Sequence, residues 1–190
     1  MKADRFVHTK RKPQKPQKTA EQLDARNGKF NFSEIHGFKL KEVEWTVPDK
    51  QTRKRRRSQF NSVREEFLKE LGANHEDELR AMGLKDKAID MIKKGHAPQG
   101  YNVHHKLPIH GGGQNVFSNL ILMPIPPHDD LHHIVMDPQV AQMQSGQSKK
   151  VKIPWTDDMV YHPEKDKGLV MNNAKPNNRA VMAKRMRDGR

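Results

Sequence analysis

The chain has 190 residues, with 36 Lys and Arg side chains against 23 Asp and Glu, and it contains no cysteine. This length suits one modest domain with extensions, and the lack of cysteine excludes a disulfide framework and a thiolate metal site. No run approaches the roughly 20 apolar residues of a membrane-spanning helix, and the N-terminal residues lack the apolar stretch of a secretory signal. We therefore expect no membrane partner, and a location in the cytoplasm or delivery into a target cell without a classical signal peptide.

Most of the positive charge lies towards the two ends of the chain. Residues 1–57 carry 17 basic and 7 acidic side chains, and residues 176–190 carry 5 and 1. Residues 1–29 predict a basic disordered arm, residues 142–152 a polar loop, and residues 154–190 a C-terminal extension. Basic arms attract polyanions through counterion release without reading base sequence, so nucleic acid is one partner class. The alternative is that the arms are solvated or contact an acidic protein.

Residues 30–57 predict a short β element followed by a basic hinge. Apolar and polar residues alternate over 43–47, which is the period of a half-buried strand, and the hinge is the basic run Arg53–Arg57. Helical spacing of apolar residues then predicts helices over 59–94, with Gly72 ending the first of them. We expect this helical layer to pack against the core and to do no chemistry.

Residues 100–136 predict the order strand, loop, strand, helix. Residues 101–105 suit a short strand, the glycines at 111–113 a tight loop, and residues 120–123 a buried second strand. The prolines that follow can open a helix near His128, because proline is tolerated in a first helical turn. The sequence thus predicts an α+β fold.

Four histidines in this stretch carry the candidate chemistry. His128 and His132 are four residues apart, so on a helix their rings share a face and can grip one metal ion. His104 and His105 are adjacent on a strand, so one ring can face the helix as a third ligand while the other faces a cleft. We assign His104 to the metal and His105 to proton abstraction, and the opposite assignment stays open here.

Other polar residues in the same region are candidates for supporting roles. Asn119 can hydrogen-bond the loop backbone and thereby orient the ring of His105, although an ordinary turn asparagine is the alternative. Candidate nucleic-acid contacts are the basic residues of the hinge and the lysine after the histidine pair: Arg53, Lys54, Arg55, Arg56, Arg57 and Lys106.

The combination of His-His, a glycine-containing loop, Asn, a short strand and His-x-x-x-His resembles the ββα-metal finger of HNH endonucleases. It is most similar to the nuclease domains of DNase colicins, pyocins and related bacterial toxins, and it covers about residues 100–133. The resemblance implies a nuclease domain over 58–153, with a ββα-metal core at 100–136 on a small helical layer. It also implies that His105 is the general base and that Asn119 orients it. The implied metal ligands are His104, His128 and His132.

Some positions depart from the family pattern. Asn102 stands where colicin-like enzymes often have a glutamate. The loop before Asn119 is slightly short, so the alignment could shift to Asn115. His133 competes with its neighbour His132 as a ligand, but helical spacing favours His132.

These features predict an endonuclease that hydrolyses DNA phosphodiester bonds with little sequence specificity, as an antibacterial toxin or effector. One divalent ion is expected: three imidazoles favour Zn²⁺ or Ni²⁺, whereas the resemblance implies Mg²⁺ or Mn²⁺. A toxin would need an acidic immunity protein as a partner. The alternatives are a phage or housekeeping nuclease, a ribonuclease with the same finger, and a non-catalytic zinc-stabilised nucleic-acid-binding module. The sequence carries no signal for the oligomeric state.

Overall fold

Strands and helices both contribute to the structure, a computed structural model that describes residues 19–172. The strands are β1 (Phe32–Ile35), β2 (Phe38–Thr46), β3 (Tyr101–His105), β4 (Leu120–Pro124), β5 (Ser148–Trp155) and β6 (Leu169–Met171). The helices are α1 (Ala20–Arg26), α2 (Lys50–Asn74), α3 (Glu76–Ala81), α4 (Asp86–Lys93), α5 (Ile125–Asp130) and α6 (Asp137–Val140), with a π-helical segment at Leu131–Met136. The α+β class expected from the sequence is confirmed.

A four-stranded antiparallel sheet joins the two ends of the described chain, in the order β5-β2-β1-β6. β2 pairs along its length with β5, from Lys39 opposite Trp155 to Thr46 opposite Ser148. The predicted separation of residues 30–57 and 154–190 from the central domain is therefore wrong. Both segments contribute strands to one sheet, and the predicted boundary after residue 153 falls inside β5.

The loop predicted over residues 142–152 is also wrong in its second half, where β5 begins. Ser148, Lys149 and Lys150 are exposed, and the inward-facing residues of the strand are Val151 and Ile153. So few apolar residues give no strand signal by themselves. The neighbouring edge of β2 supplies the backbone partners, and tertiary pairing decides the conformation.

The basic run that was predicted to be a hinge is helical. α2 begins at Lys50, because the Asp49 carboxylate caps it by accepting from the backbone N–H of Thr52 at 2.8 Å. The helix continues past Gly72 to Asn74, so Gly72 does not end it. A Cβ at Gly72 would lie 2.9 Å from backbone atoms of Lys93, so glycine is needed where α2 and α4 cross closely. Three helices, α2 to α4, form the predicted helical layer.

The predicted N-terminal arm is structured where the structure describes it. Thr19 and Gln22 form a reciprocal capping box at the start of α1, which packs against α6. Residues 1–18 and 173–190, which hold most of both predicted arms, lie outside the described residues. No helix within 19–172 combines the length and the apolar character that crossing a bilayer requires.

Candidate metal centre

Two strands and the helix after them hold the candidate site. β3 and β4 pair antiparallel, with His104 opposite Ile121 and His105 opposite Leu120. Pro126 and Pro127 lie in the first turn of α5, where their missing N–H groups leave no intrahelical bond unmade. The chain therefore turns directly from β4 into the helix, which runs back across the end of β3.

Three imidazoles converge where the helix crosses β3. Each of His104, His128 and His132 offers one ring nitrogen, and these three atoms all lie within 4.8 Å of one another. The ring centroids are 4.9 Å apart for His104 and His128, 5.1 Å for His104 and His132, and 4.8 Å for His128 and His132. The structure thus brings together the three residues predicted as metal ligands.

Carboxylates lie near Nδ1 of both helical histidines. Nδ1 of His128 lies 2.9 Å from the Asp129 carboxylate, so its Nε2 is left for a cation. Nδ1 of His132 lies 3.8 Å from the Asp137 carboxylate, which is close enough for a charge interaction but too long for a hydrogen bond. A carboxylate behind a ligating imidazole is the usual arrangement at protein metal sites, because it fixes the ring and raises its basicity.

The third ring has an unpaired nitrogen in the interior. His104 is 4% exposed, and its Nε2 is buried with no hydrogen-bond partner in the part of the chain that the structure describes. A buried polar atom left without a partner costs about 1–3 kcal/mol. A cation between the three rings would satisfy this atom, so the residues present fit a bound metal ion.

Burial also keeps these rings in the form that binds metal. Desolvation lowers the pKa of His104 well below its ordinary value, and the neighbouring His132 and His128 lower it further. Desolvation lowers the pKa of His132 to about 4, again with a contribution from His128. Near pH 7 these two imidazoles are therefore neutral, with lone pairs available to a cation.

His105 turns away from the other three rings and has different contacts. Its Nε2 lies 2.8 Å from Oδ1 of Asn115, and its ring packs on Phe60 of α2 with the centroids 4.3 Å apart. Desolvation lowers the pKa of His105, against an opposing effect of the Asn115 hydrogen bond. His105 nevertheless borders the same cleft as the metal-binding rings, a cavity of about 190 Å³.

The contacts of Asn115 determine which nitrogen of His105 carries the proton. The Asn115 amide nitrogen donates to the backbone carbonyl of Arg56 at 2.8 Å, so its oxygen must face the imidazole. An oxygen can only accept, so Nε2 of a neutral His105 is the protonated nitrogen. Nδ1 then holds the lone pair that could accept a proton.

Asn119, predicted to orient His105, stabilises the loop and does not contact that ring. Its side chain accepts from the N–H of Leu107 at 2.9 Å and donates to the carbonyls of Leu107 and Gln114, both at 3.0 Å. Sequence reasoning placed the orienting role on Asn119 and considered Asn115 only as an alternative alignment. The position of Asn115 two residues after the last glycine of the loop was the signal for it.

The glycine loop is closely packed from both sides. A Cβ at Gly113 would lie 1.7 Å from the carbonyl oxygen of Leu107, and one at Gly111 would lie 2.5 Å from the Trp45 ring. The guanidinium of Arg56 donates to the carbonyls of Gly112 and Gly113 at 2.9 and 3.0 Å. Glycine is therefore required here for close approach, and the loop is held between β2 and α2.

Of the basic residues predicted to contact nucleic acid, some are exposed and others are partly buried or bound to other parts of the protein. Arg57 is exposed and borders the cleft beside His105, while Lys54 and Arg55 are exposed on the same helix. Arg53 is half-buried, and Arg56 holds the glycine loop.

The prediction for Lys106 is corrected, because this residue is 1% exposed. Its Nζ donates to the carbonyl of Ser118 at 3.0 Å and lies 5.6 Å from the centre of the Trp155 ring. Desolvation lowers its pKa. Strand alternation did not indicate that a lysine beside the histidine pair would point into the protein.

Two further histidines lie near the site, and the structure separates them. His133 has a side chain that is 75% exposed and stands outside the convergent group, so His132 and not its neighbour completes the trio. His110 borders the cleft and packs edge-on against Trp45, with ring centroids 4.8 Å apart.

Part of the chain is similar to a known bacterial protein. The Escherichia coli (strain K12) protein named "Uncharacterized protein YhhZ" is 32% identical over 113 residues, which cover 58% of this chain. The match spans 28% of that relative's length, and its name carries no function. No family model and no solved structure matches the chain.

Proposed function

We propose that this chain is a metal-dependent endonuclease of the HNH type, with a ββα-metal finger formed by β3, β4 and α5. The observation that carries the proposal is the convergence of three imidazoles on one point, with a fourth, His105, at the edge of the same cleft. A divalent ion and a free imidazole base are together the requirements of phosphodiester hydrolysis at neutral pH. The strand, loop, strand and helix order and the histidine positions support the HNH resemblance.

In this proposal His105 is the general base. Its Nδ1 accepts a proton from a water molecule that attacks the scissile phosphorus, while Nε2–H keeps its hydrogen bond to Asn115. Phe60 packs on the imidazole and restricts its rotation, so the metal ligands are not needed to hold the ring in place. The products would carry 5′-phosphate and 3′-hydroxyl ends.

His104, His128 and His132 would hold one divalent ion: Zn²⁺, Ni²⁺, Mg²⁺ or Mn²⁺. When bound, it would supply Lewis-acid stabilisation of the negative charge that develops on the phosphate and on the leaving oxygen. Within residues 19–172 no fourth His, Asp or Glu joins the group, and the chain has no cysteine. Structural zinc sites usually have four protein ligands, so a three-histidine set favours catalysis over a zinc-stabilised binding module.

The exposed basic residues of α2 would bind the nucleic acid. Arg57 lies at the cleft, and Lys54 and Arg55 extend the positive charge along the helix. Contacts from lysine and arginine to phosphates position a duplex without reading its bases, so we infer DNA cleavage with little sequence preference.

Plasmid cleavage with and without EDTA tests this function. We expect His105→Ala to lose at least about 100-fold in rate, the typical contribution of a general base. His128→Ala should lose a similar factor, because it removes one of the three ligands of the ion. His133→Ala is the matched control, because His133 is an exposed histidine on the same helical segment. EDTA-resistant cutting, or wild-type rates in both site variants, would contradict the proposal. RNA assayed in parallel decides between the two nucleic acids.

An antibacterial toxin or effector is the biological role that this chemistry fits best. Expression in the bacterial cytoplasm should then kill the cells, and His105→Ala should abolish killing. Co-expression of a small acidic immunity protein encoded beside the gene should protect them. Harmless expression of a variant that cleaves DNA in vitro would argue against this role.

A further inference from the structure

A cluster of charged side chains lies behind the helix that carries two of the metal-binding histidines. Nε2 of His36 lies 2.9 Å from the carboxylate of Asp130, and its Nδ1 lies 3.0 Å from that of Asp166. Asp130 stands midway between His128 and His132 in the sequence. Side chains two residues apart on a helix point to opposite sides of it. His36 therefore contacts the side of the helix that faces away from the metal centre.

The turn between the first two strands places His36 beside both carboxylates. His36 and Gly37 form this two-residue turn, with φ angles of 50° and 82°. Histidine is one of the few residue types other than glycine that are enriched in the left-handed region, so the turn accepts it. The two contacts of the ring therefore start from a tightly defined point of the backbone.

One end of this bridge is fixed and the other is not. Asp166 also accepts from the hydroxyl of Tyr161 and, at 2.8 Å, from the backbone N–H of Gly168. Asp130 is half exposed, and its carboxylate has no hydrogen-bond partner other than His36 within residues 19–172. The His36 ring therefore connects a firmly held carboxylate to the metal-binding helix.

The helical hydrogen-bond pattern changes between the two histidines that the helix carries. His128 lies in α5, and His132 lies in the π-helical segment that follows it without a break. π-helical turns are rare and usually occur as short interruptions of α-helices, so contacts from outside help to fix the relative position of the two rings. Convergence of His128 and His132 on His104 therefore requires something to hold the helix against β3.

We propose that His36 is a positioning residue for the metal centre. By joining Asp130 to Asp166, it holds the helical histidines at the separation from His104 that one shared cation needs. The proposal rests on the metal-binding group alone and not on nuclease activity.

Zinc titration of the full chain by calorimetry tests it, using Zn²⁺ alone as the probe. His36→Asn keeps a residue that tolerates the left-handed turn and removes the bridge, while Asp130→Ala removes it from the other side. Each change should weaken zinc binding by about tenfold, the lower end for supporting residues around a metal. The double variant should be no weaker than either single one, because both remove the same contact.

Glu76→Gln is the matched control. It removes the charge that pairs with Arg80 within α3 and with Lys93 of α4, outside the group of metal-binding residues. Zinc affinity should stay at the wild-type value in this variant, and Asp130→Glu should recover part of the loss. If His36→Asn fails to fold, Asp130→Ala decides. Wild-type zinc affinity in a folded Asp130→Ala protein would overturn the proposal, whatever the outcome of the cleavage assays.

Discussion

The side-chain oxygen of Asn115 lies 2.8 Å from Nε2 of His105, at the opposite side of the ring from the nitrogen that would accept a proton. The other end of the Asn115 amide is bound to the backbone carbonyl of Arg56. The orientation of the candidate base is therefore set by a helix, α2, that contributes no metal ligand.

This relationship predicts that Asn115→Ala impairs catalysis and not metal binding. Without the amide, the ring can rotate and exchange tautomers, so cleavage should fall by about 10- to 100-fold, while zinc affinity stays unchanged. Gln114→Ala is the control, since Gln114 is exposed and only its backbone carbonyl is used. Steady-state cleavage and zinc calorimetry measure the two properties. A variant with wild-type cleavage would remove Asn115 from the mechanism.

The glycine loop should not tolerate a methyl group at residue 113. The backbone oxygen that a Cβ at Gly113 would meet cannot move independently, so Gly113→Ala should lower the free energy of unfolding by about 3 kcal/mol. Gly146→Ala is the comparison: its φ is +84° and no atom lies within 4 Å of its Cβ position. Only left-handed strain of about 1–2 kcal/mol is expected there. Urea unfolding measures both, and equal losses would mean that the loop can shift.

Arg57 and Lys106 should differ in their effect on DNA binding. Arg57→Ala should weaken binding to all duplexes alike and lower the slope of log affinity against log salt by about one unit. Lys106→Met keeps the buried shape and should leave both quantities unchanged. Fluorescence anisotropy over a salt series provides the measurement. A reduced salt slope for Lys106→Met would show that this lysine reaches a phosphate.

The stability that the ionised Asp166 contributes should be lost in acid. Burial acts to raise the pKa of Asp166, but hydrogen bonds from Tyr161, Gly168 and His36 outweigh it and lower the pKa. A carboxylate with a lowered folded-state pKa adds stability above its unfolded value near 4, which is lost as the pH falls through the folded value.

Urea midpoints at pH 7 and pH 3 test this effect. Asp166→Asn should lower the midpoint at pH 7 and reduce its fall on acidification. Asp24→Asn, a change of an exposed carboxylate on α1, is the control and should keep the wild-type pH dependence. The same acid sensitivity in Asp166→Asn as in wild type would assign the effect to other carboxylates.

Local patterns were sufficient to predict the central part of the fold. Helical spacing gave the layer over 59–94, and the chain from Tyr101 to His132 has the predicted order of strand, loop, strand and helix. The convergence of three histidines was also predictable, because i,i+4 spacing on a helix and a strand beside it limit where the rings can point. These patterns depend on residues that are close together in the chain, so they can be recognised in a single sequence.

Features that depend on distant residues were not predictable. β5 forms because β2 lies beside it, and its lysines conceal the strand. The start of α2 at Lys50 is an exception, because its signal is local: Asp49 directly before it is an N-cap residue, and the prediction of a hinge from the arginine run overlooked it. Burial of Lys106 and the bridge from His36 to Asp130 depend on partners that are 12 or more residues away. Sequence spacing carries no information about such partners.

The sheet that pairs β2 with β5 and β1 with β6 has a consequence for how the protein matures. During synthesis the histidine-bearing hairpin and helix leave the ribosome before residues 148–171 do, so the turn at His36 has no Asp166 to bind. Pairings between such distant strands form slowly, because a long loop must close first. The ability to bind a metal ion tightly would therefore arise late, after β6 has been translated. A nascent chain stalled before β5 should hold zinc more weakly than the released protein.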